Sequence, residues 1–532
     1  MPLPQPLRRN SLNIFLLGVL LCLPLADAAS AKNTVVQDIL PPVNFDAIGT
    51  LSAGQGGLSA DMWGNITREE AQSLIDAAPA PLADAFWRKT VRRVLLSAAT
   101  TPPLDDALNA DRLLEMRLNK LFELGLWADV IALYKEIPPK ARNVAIEKIA
   151  MMAALIEDEK NICVISDSAK GAEEWWAKAQ NLCQLHQELK DQARLSLDLL
   201  REKNPEFKNT PFSVLMQAAL GGDAPAKKFA ASQLDIFEII LAGITKTPLA
   251  VDLPKMSLWQ AVLAARQESL ALPVRIQAAE RAAFMGALPV AELLELYRAV
   301  AFNEAMLANL HSTLLEWRQA KAPLWKGRAL LAQAIEKETD PLLKAPLIAE
   351  LPDSVAAYYL DQIEPRPDLA PQAGEFGKIF LNQAEFDKAK VWFKIAKYDQ
   401  ANTHMLWPYY WLLDKNPDEA KEWMQAQAPH SAKPAFLLLL AETIEQKLPA
   451  VITASGGGAK VEKREDFSIL ARAALVQDGM KHQTAPALLR LSAAAAHNEP
   501  GLDLFAIKIL RKLELANEGR EAAARFLAAR QF

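Results

Sequence analysis

The stretch Leu113-Leu-Glu-Met-Arg-Leu-Asn-Lys-Leu-Phe-Glu-Leu-Gly-Leu-Trp-Ala-Asp-Val-Ile-Ala-Leu-Tyr134 decides the fold class. Leu114, Leu118, Leu121 and Phe122 recur at the spacing that gathers side chains on one face of a helix. Gly125 interrupts the run, and Val130, Leu133 and Tyr134 start a second stripe. Two stripes joined by a glycine read as helix, turn, helix. The same grammar returns at Phe376 to Tyr398: Phe380 and Leu381 precede Asn382-Gln-Ala-Glu-Phe386, then Ala389, Trp392, Phe393 and Ala396 continue. Both units are tetratricopeptide-like, although no strict period links them. Such pairs cannot bury both faces alone, so they stack on their neighbours. The expected fold is all-α, degenerate tetratricopeptide-like hairpins stacked as an α-solenoid with a long concave surface; an irregular bundle of helical hairpins is the alternative.

From Asp111 onward, helical stretches follow one another with no alternating strand pattern. Upstream, Thr67-Arg-Glu-Glu70 reads as a capping box that starts a helix, and a second helix is expected over Leu82 to Ala99, before Pro102-Pro103. Three breaks stand out. Gly243 to Pro254 and Pro352 to Gly374 read as loops, the latter for its Pro352, Pro365, Pro367 and Pro371, and Pro449 to Asp466 contains Gly456-Gly-Gly458. The expected layout is a signal peptide over 1–28, an extended leader over 29–66, N-terminal helical repeats over 67–245, a middle helical region over 255–351 and C-terminal helical repeats over 375–532.

The chain has 532 residues, 51% of them hydrophobic and 23% charged, which is enough apolar material for a large core. Its 59 Lys and Arg against 64 Asp and Glu give a net charge of -5, so no basic excess is present to meet a phosphate backbone and no nucleic-acid partner is expected. Arg8-Arg9, the apolar run Leu12 to Leu25 and Ala26-Asp-Ala28 have the three-part layout of a secretory signal. That run is shorter than the roughly 20 residues a spanning helix needs. A periplasmic or secreted protein is expected, with no membrane insertion after signal cleavage. Cys163 and Cys183 then remain in an oxidising compartment and are expected to form a disulfide.

Signatures of catalysis are largely missing. His186, His311, His404, His430, His482 and His497 include no pair at metal-ligand spacing beside a glutamate. No Gly-x-Ser-x-Gly elbow or Ser-x-x-Lys pair occurs, and neither Gly456-Gly-Gly458 with Lys460 nor Gly54, Gly56 and Gly57 has the context of a nucleotide loop. The acidic pairs Asp105-Asp106 and Glu173-Glu174 point different ways along a helix, which suits solvated faces better than glycan hydrolysis. Trp175, Trp176, Trp392, Trp407 and Trp411 would be the stacking faces of a sugar groove, but core packing accounts for them without a ligand. No catalytic, cofactor or metal residue is therefore expected.

Gly57-Leu-Ser-Ala-Asp-Met-Trp63 with Thr67-Arg68, Ala278 to Gly286 followed by Leu296-Tyr297, Lys390-Val-Trp392 and Leu406-Trp-Pro408 carry a family likeness. In these segments the chain resembles a group of uncharacterised exported α-proteobacterial helical-repeat proteins, some bearing an "antifreeze" label, a group that offers no site residues to carry over. Ice-binding Ala/Thr repeats do not occur in this chain. More distantly the helical pattern is similar to the superhelical domain of soluble lytic transglycosylases. Their separate catalytic domain, marked by a catalytic Glu-Ser pair and a Gly-Leu-Met-Gln stretch, is not expected here, so the resemblance implies a scaffold alone. The expected function is a non-catalytic scaffold whose partner is an envelope protein or a peptidoglycan-associated assembly. A glycan-acting enzyme and a periplasmic assembly factor are the rivals.

Overall fold

In the computed structural model, the pair expected over 113–134 forms as helices Arg112–Glu123 and Trp127–Glu136, packed on each other. Leu114, Leu118, Leu121, Val130 and Leu133 are buried, as the stripes require. Gly125 takes φ of +76°, and a Cβ there would lie 2.5 Å from the Ala287 Cβ. The glycine thus makes the turn and also admits the chain beyond helix Leu272–Phe284. The second unit forms as Ala370–Asn382 and Phe386–Ala396, where Phe376 meets Trp392 edge to face at 5.0 Å.

The structure describes residues 44–103, 112–158, 163, 174–223, 225, 228–399, 404–415, 418–427, 433–455, 483–496 and 502–529. The expected signal peptide over 1–28, the first part of the leader, Asp105-Asp106, Gly456-Gly-Gly458, His430, His482 and His497 lie outside these residues. Among the described residues the fold is all-α apart from a short parallel pairing, Phe229–Ala230 with Leu249–Ala250, and a single parallel bridge between Leu51 and Ser97.

Several expectations need correction. From Asn44 on, the leader is built into the core: Leu58, Met62, Trp63 and Ile66 are buried, and the buried Asp46 pairs with Arg68. The sequence reading missed this because burial here comes from single anchors rather than a periodic stripe. At the first helix, Arg68–Ala77, the Thr67 hydroxyl accepts from the Glu70 amide, whereas the Glu70 carboxylate meets Arg490. A charged partner thus holds the acid that was expected to close the capping box. The second helix is shorter than expected, Ala85–Leu96, because Asp84 caps it by accepting from the Trp87 amide.

The proline-rich break at 352–374 is mostly helical. Pro352 precedes helix Asp353–Leu360, Pro367 opens a 3-10 turn and Pro371 sits in the first turn of Ala370–Asn382. Amides in a first helical turn have no intrahelical acceptor, so proline starts helices there instead of ending them. Helix Ile236–Ile244 packs on Leu258–Arg266 across the break expected at 243–254, and Pro341–Ala349 packs on Ala370–Asn382 across the break expected at 352–374. Residues Asn44–Phe532 accordingly cluster as one unit. Helix Ala450–Ser455 occupies the described start of the third break.

Candidate binding cleft

Three helices end around one opening. Val144–Glu157 starts on Asn143, whose side chain accepts from the Ile146 amide. Ile236–Ile244 starts on a complete capping box between Asp235 and Glu238, and Leu258–Arg266 on another between Ser257 and Gln260. These caps fix where the three helices start. Their C-terminal ends, with Glu292 from the first turn of Val290–Arg298, line a cleft of about 570 Å3.

The cleft has an apolar wall and a polar rim. Ile239 and Ile240 are buried on the wall, and Ile244 at its edge is 41% exposed. On the rim Arg266 is held on three sides: Nε and Nη2 each donate to Glu292 at 2.9 Å, and Nη1 donates to the Ile156 carbonyl. Beyond the helix the backbone turns through Gln267-Glu-Ser-Leu270, with the Leu270 amide on the Gln267 carbonyl. Gln267 is 6% exposed, yet neither its Nε2 nor its Oε1 has a hydrogen-bond partner, and the Ser269 hydroxyl is also unpaired. Gly243 faces the same amide: a Cβ there would stand 3.6 Å from Gln267 Nε2.

The sequence-predicted residues lie elsewhere. The Cys163 and Cys183 sulfurs are at disulfide distance, their Cα atoms 4.9 Å apart, with Cys183 buried in helix Glu174–His186. The five tryptophans do not form a groove. Trp176, Trp392, Trp407 and Trp411 are buried, Trp407 stacks on Trp411 at 6.1 Å, and Trp175 packs on Trp176 and Phe237. Glu174 bridges to Lys178, which also meets Asp235 at 3.0 Å and Glu238 at 3.6 Å, so it belongs to an ion cluster joining two helices. Burial pulls the Lys178 ammonium down, but the surrounding carboxylates outweigh that and hold it above the usual lysine range. Among the described residues no group of three or more His, Cys, Asp or Glu could hold a metal ion.

The expected absence of a Glu-Ser pair does not hold: Glu268-Ser269 is one, and it lines the cleft. Glu268 is exposed on the rim. Linear reading missed the cleft because its walls come from three separated segments and its polar turn reads as an ordinary helix connection. Comparison with known proteins finds no family model, no curated protein and no solved structure that matches the chain.

Proposed function

We propose that this is an exported, non-catalytic helical-repeat protein of the cell envelope, whose hairpins stack as an α-solenoid and hold another envelope protein or a peptidoglycan-associated assembly. The observation that carries the reading is packing in chain order: Leu258–Arg266 on Leu272–Phe284, then Val290–Arg298, Leu324–Lys337, Pro341–Ala349, Asp353–Leu360 and Ala370–Asn382, each against the next. Nearest-neighbour stacking of this kind presents an extended surface, which is how repeat proteins bind. The signal-like start of the sequence supports export, and burial of the tryptophans removes the main argument for a glycan-cleaving groove.

The test has two arms. N-terminal sequencing of the native protein should place its start between residues 27 and 31, and crosslinking in the intact envelope should recover a stoichiometric partner. Intact Met1 would count against export. Cleavage of peptidoglycan by the purified protein, lost in Glu268→Gln with an unchanged helical circular dichroism spectrum, would overturn the scaffold in favour of an enzyme.

A further inference from the structure

We propose that the cleft at the C-terminal ends of helices Val144–Glu157, Ile236–Ile244 and Leu258–Arg266 binds a short extended peptide segment, an apolar residue beside a basic one, with its backbone amide paired to Gln267. The proposal rests on the partner-binding reading above and names the chemistry of what is held.

The Gln267 carboxamide is the first reason. A buried amide without partners costs on the order of 1–3 kcal/mol, and folded proteins rarely leave both its donor and its acceptor unmet. A carboxamide sets an N–H donor beside a C=O acceptor, and the group that satisfies both together is another amide. An extended peptide offers one at every residue, and the unpaired Ser269 hydroxyl stands two positions along the same turn to take a further backbone group. Gly243 stands beside the amide without a side chain, and a Cβ there would lie 3.6 Å from Nε2.

The wall and the rim choose the side chains. Ile239, Ile240 and the exposed Ile244 offer an apolar seat for one hydrophobic residue. Around them stand the carboxylates of Glu157, Asp158, Glu268 and Glu292, against the cations of Lys246 and Arg266. Arg266 and Glu292 neutralise each other, which leaves Glu157, Asp158 and Glu268 against Lys246. Three helix C-termini add their partial negative charge at the same place. The local field therefore favours a lysine or arginine on the incoming segment. At about 570 Å3 the cleft falls in the roughly 300–1,000 Å3 range of small-ligand sites. An acetamido sugar shares the amide but has neither the apolar side chain nor the positive charge.

The experiment is a fluorescence anisotropy titration of the full mature protein with a labelled, end-capped pentapeptide of alternating lysine and isoleucine. Saturable binding is expected, at least tenfold weaker in Gln267→Leu, whose melting temperature stays level or rises because an unpaired amide has gone. A glutamate and isoleucine pentapeptide should bind at least tenfold more weakly than the basic one. If Gln267→Leu does not fold, Gly243→Leu fills the cleft from the opposite wall and should abolish binding. A flat titration, equal affinity in the cleft variant, equal affinity for the acidic peptide, or displacement of the peptide by an N-acetylglucosamine tetramer each overturns the proposal. A flat titration with a protein that still crosslinks its envelope partner overturns the cleft alone and leaves the scaffold reading standing.

Discussion

Arg93 Nη1 lies 2.7 Å from Glu518 Oε1, an ion pair across 425 positions of sequence. It is one of several contacts that bring the first helices against the last: Glu70 meets Arg490, Asp84 meets Arg525, and the Ala485 amide donates to the Met62 carbonyl at 3.0 Å. Lys89 adds the Ala384 carbonyl and Glu385 on a third segment. An array of helices joined in this way does not leave its N-terminal pair as a free end.

The Arg93 pair yields an asymmetric prediction. Arg93 also donates to the Gly56 and Gly57 carbonyls, whereas Glu518 has no such second duty among the described residues. Both side chains are partly exposed, so the ion pair itself is worth at most about 1 kcal/mol. Arg93→Ala should cost about 2 kcal/mol, because it also leaves backbone carbonyls unpaired. Glu518→Gln should cost less than half of that. Urea unfolding of both single variants and the double variant measures the coupling, and equal single losses would refute the assignment.

Arg117 is buried and donates to the Leu95, Asp46, Ile48 and Ser97 carbonyls at 2.7 to 3.1 Å, so backbone oxygens rather than a carboxylate hold its guanidinium. Burial pulls that group down to about 10, which still leaves it charged at neutral pH. It ties the segment before the first helix to helices Ala85–Leu96 and Arg112–Glu123. Arg117→Met strands all four carbonyls and should cost about 4 kcal/mol. Arg117→Lys should recover little, because a single ammonium cannot span the fork. Thermal melts decide it: full recovery by lysine would show that charge alone matters.

Reduction of the Cys163–Cys183 pair should lower stability by about 3 kcal/mol, the loop-closure entropy of a 20-residue separation. Cys163→Ser should reproduce that loss, and reductant should then have no further effect. Non-reducing mass spectrometry should find the two peptides linked. Recovery of both thiols alkylated without reductant would exclude the bond.

Periodic burial was legible in the sequence, and single contacts were not. Leu114, Leu118 and Leu121 announce their helix because one face repeats, and Gly125 announces the turn. That the same glycine must also admit Ala287 is a relation between distant segments that no local pattern encodes. Pro367 and Pro371 misled because proline breaks a helix interior yet suits a helix start, and the two cases differ only in whether the helix lies before the proline or after it. Gln267 reads as one more polar residue in a connection; that its buried amide lies unpaired beside Gly243 is a relation between separate segments.

Ionisation of Glu521 should lower stability as pH rises from about 4.5 toward 7. It lies on helix Ala516–Ala529, which packs against Ala370–Asn382 and Trp407–Asp414. Burial pushes its carboxyl up to about 7; Glu518 and Asp387 act in the same direction, and Lys390 and Arg520 oppose them. A glutamate in the unfolded chain titrates near 4.3 or so, hence the folded state binds more protons between the two values. In that window each proton lost costs the folded state more than the unfolded chain, and above it the penalty is constant. Glu521→Gln mimics the protonated side chain, so it should leave the melting temperature at pH 5 nearly unchanged and raise it at pH 8. Because Glu521 sits near Glu518, the residue that holds Arg93, amide exchange along Ala516–Ala529 should also slow at pH 8 in the variant. An equal shift in melting temperature at both pH values would mean that lost packing, not ionisation, is what the substitution reports.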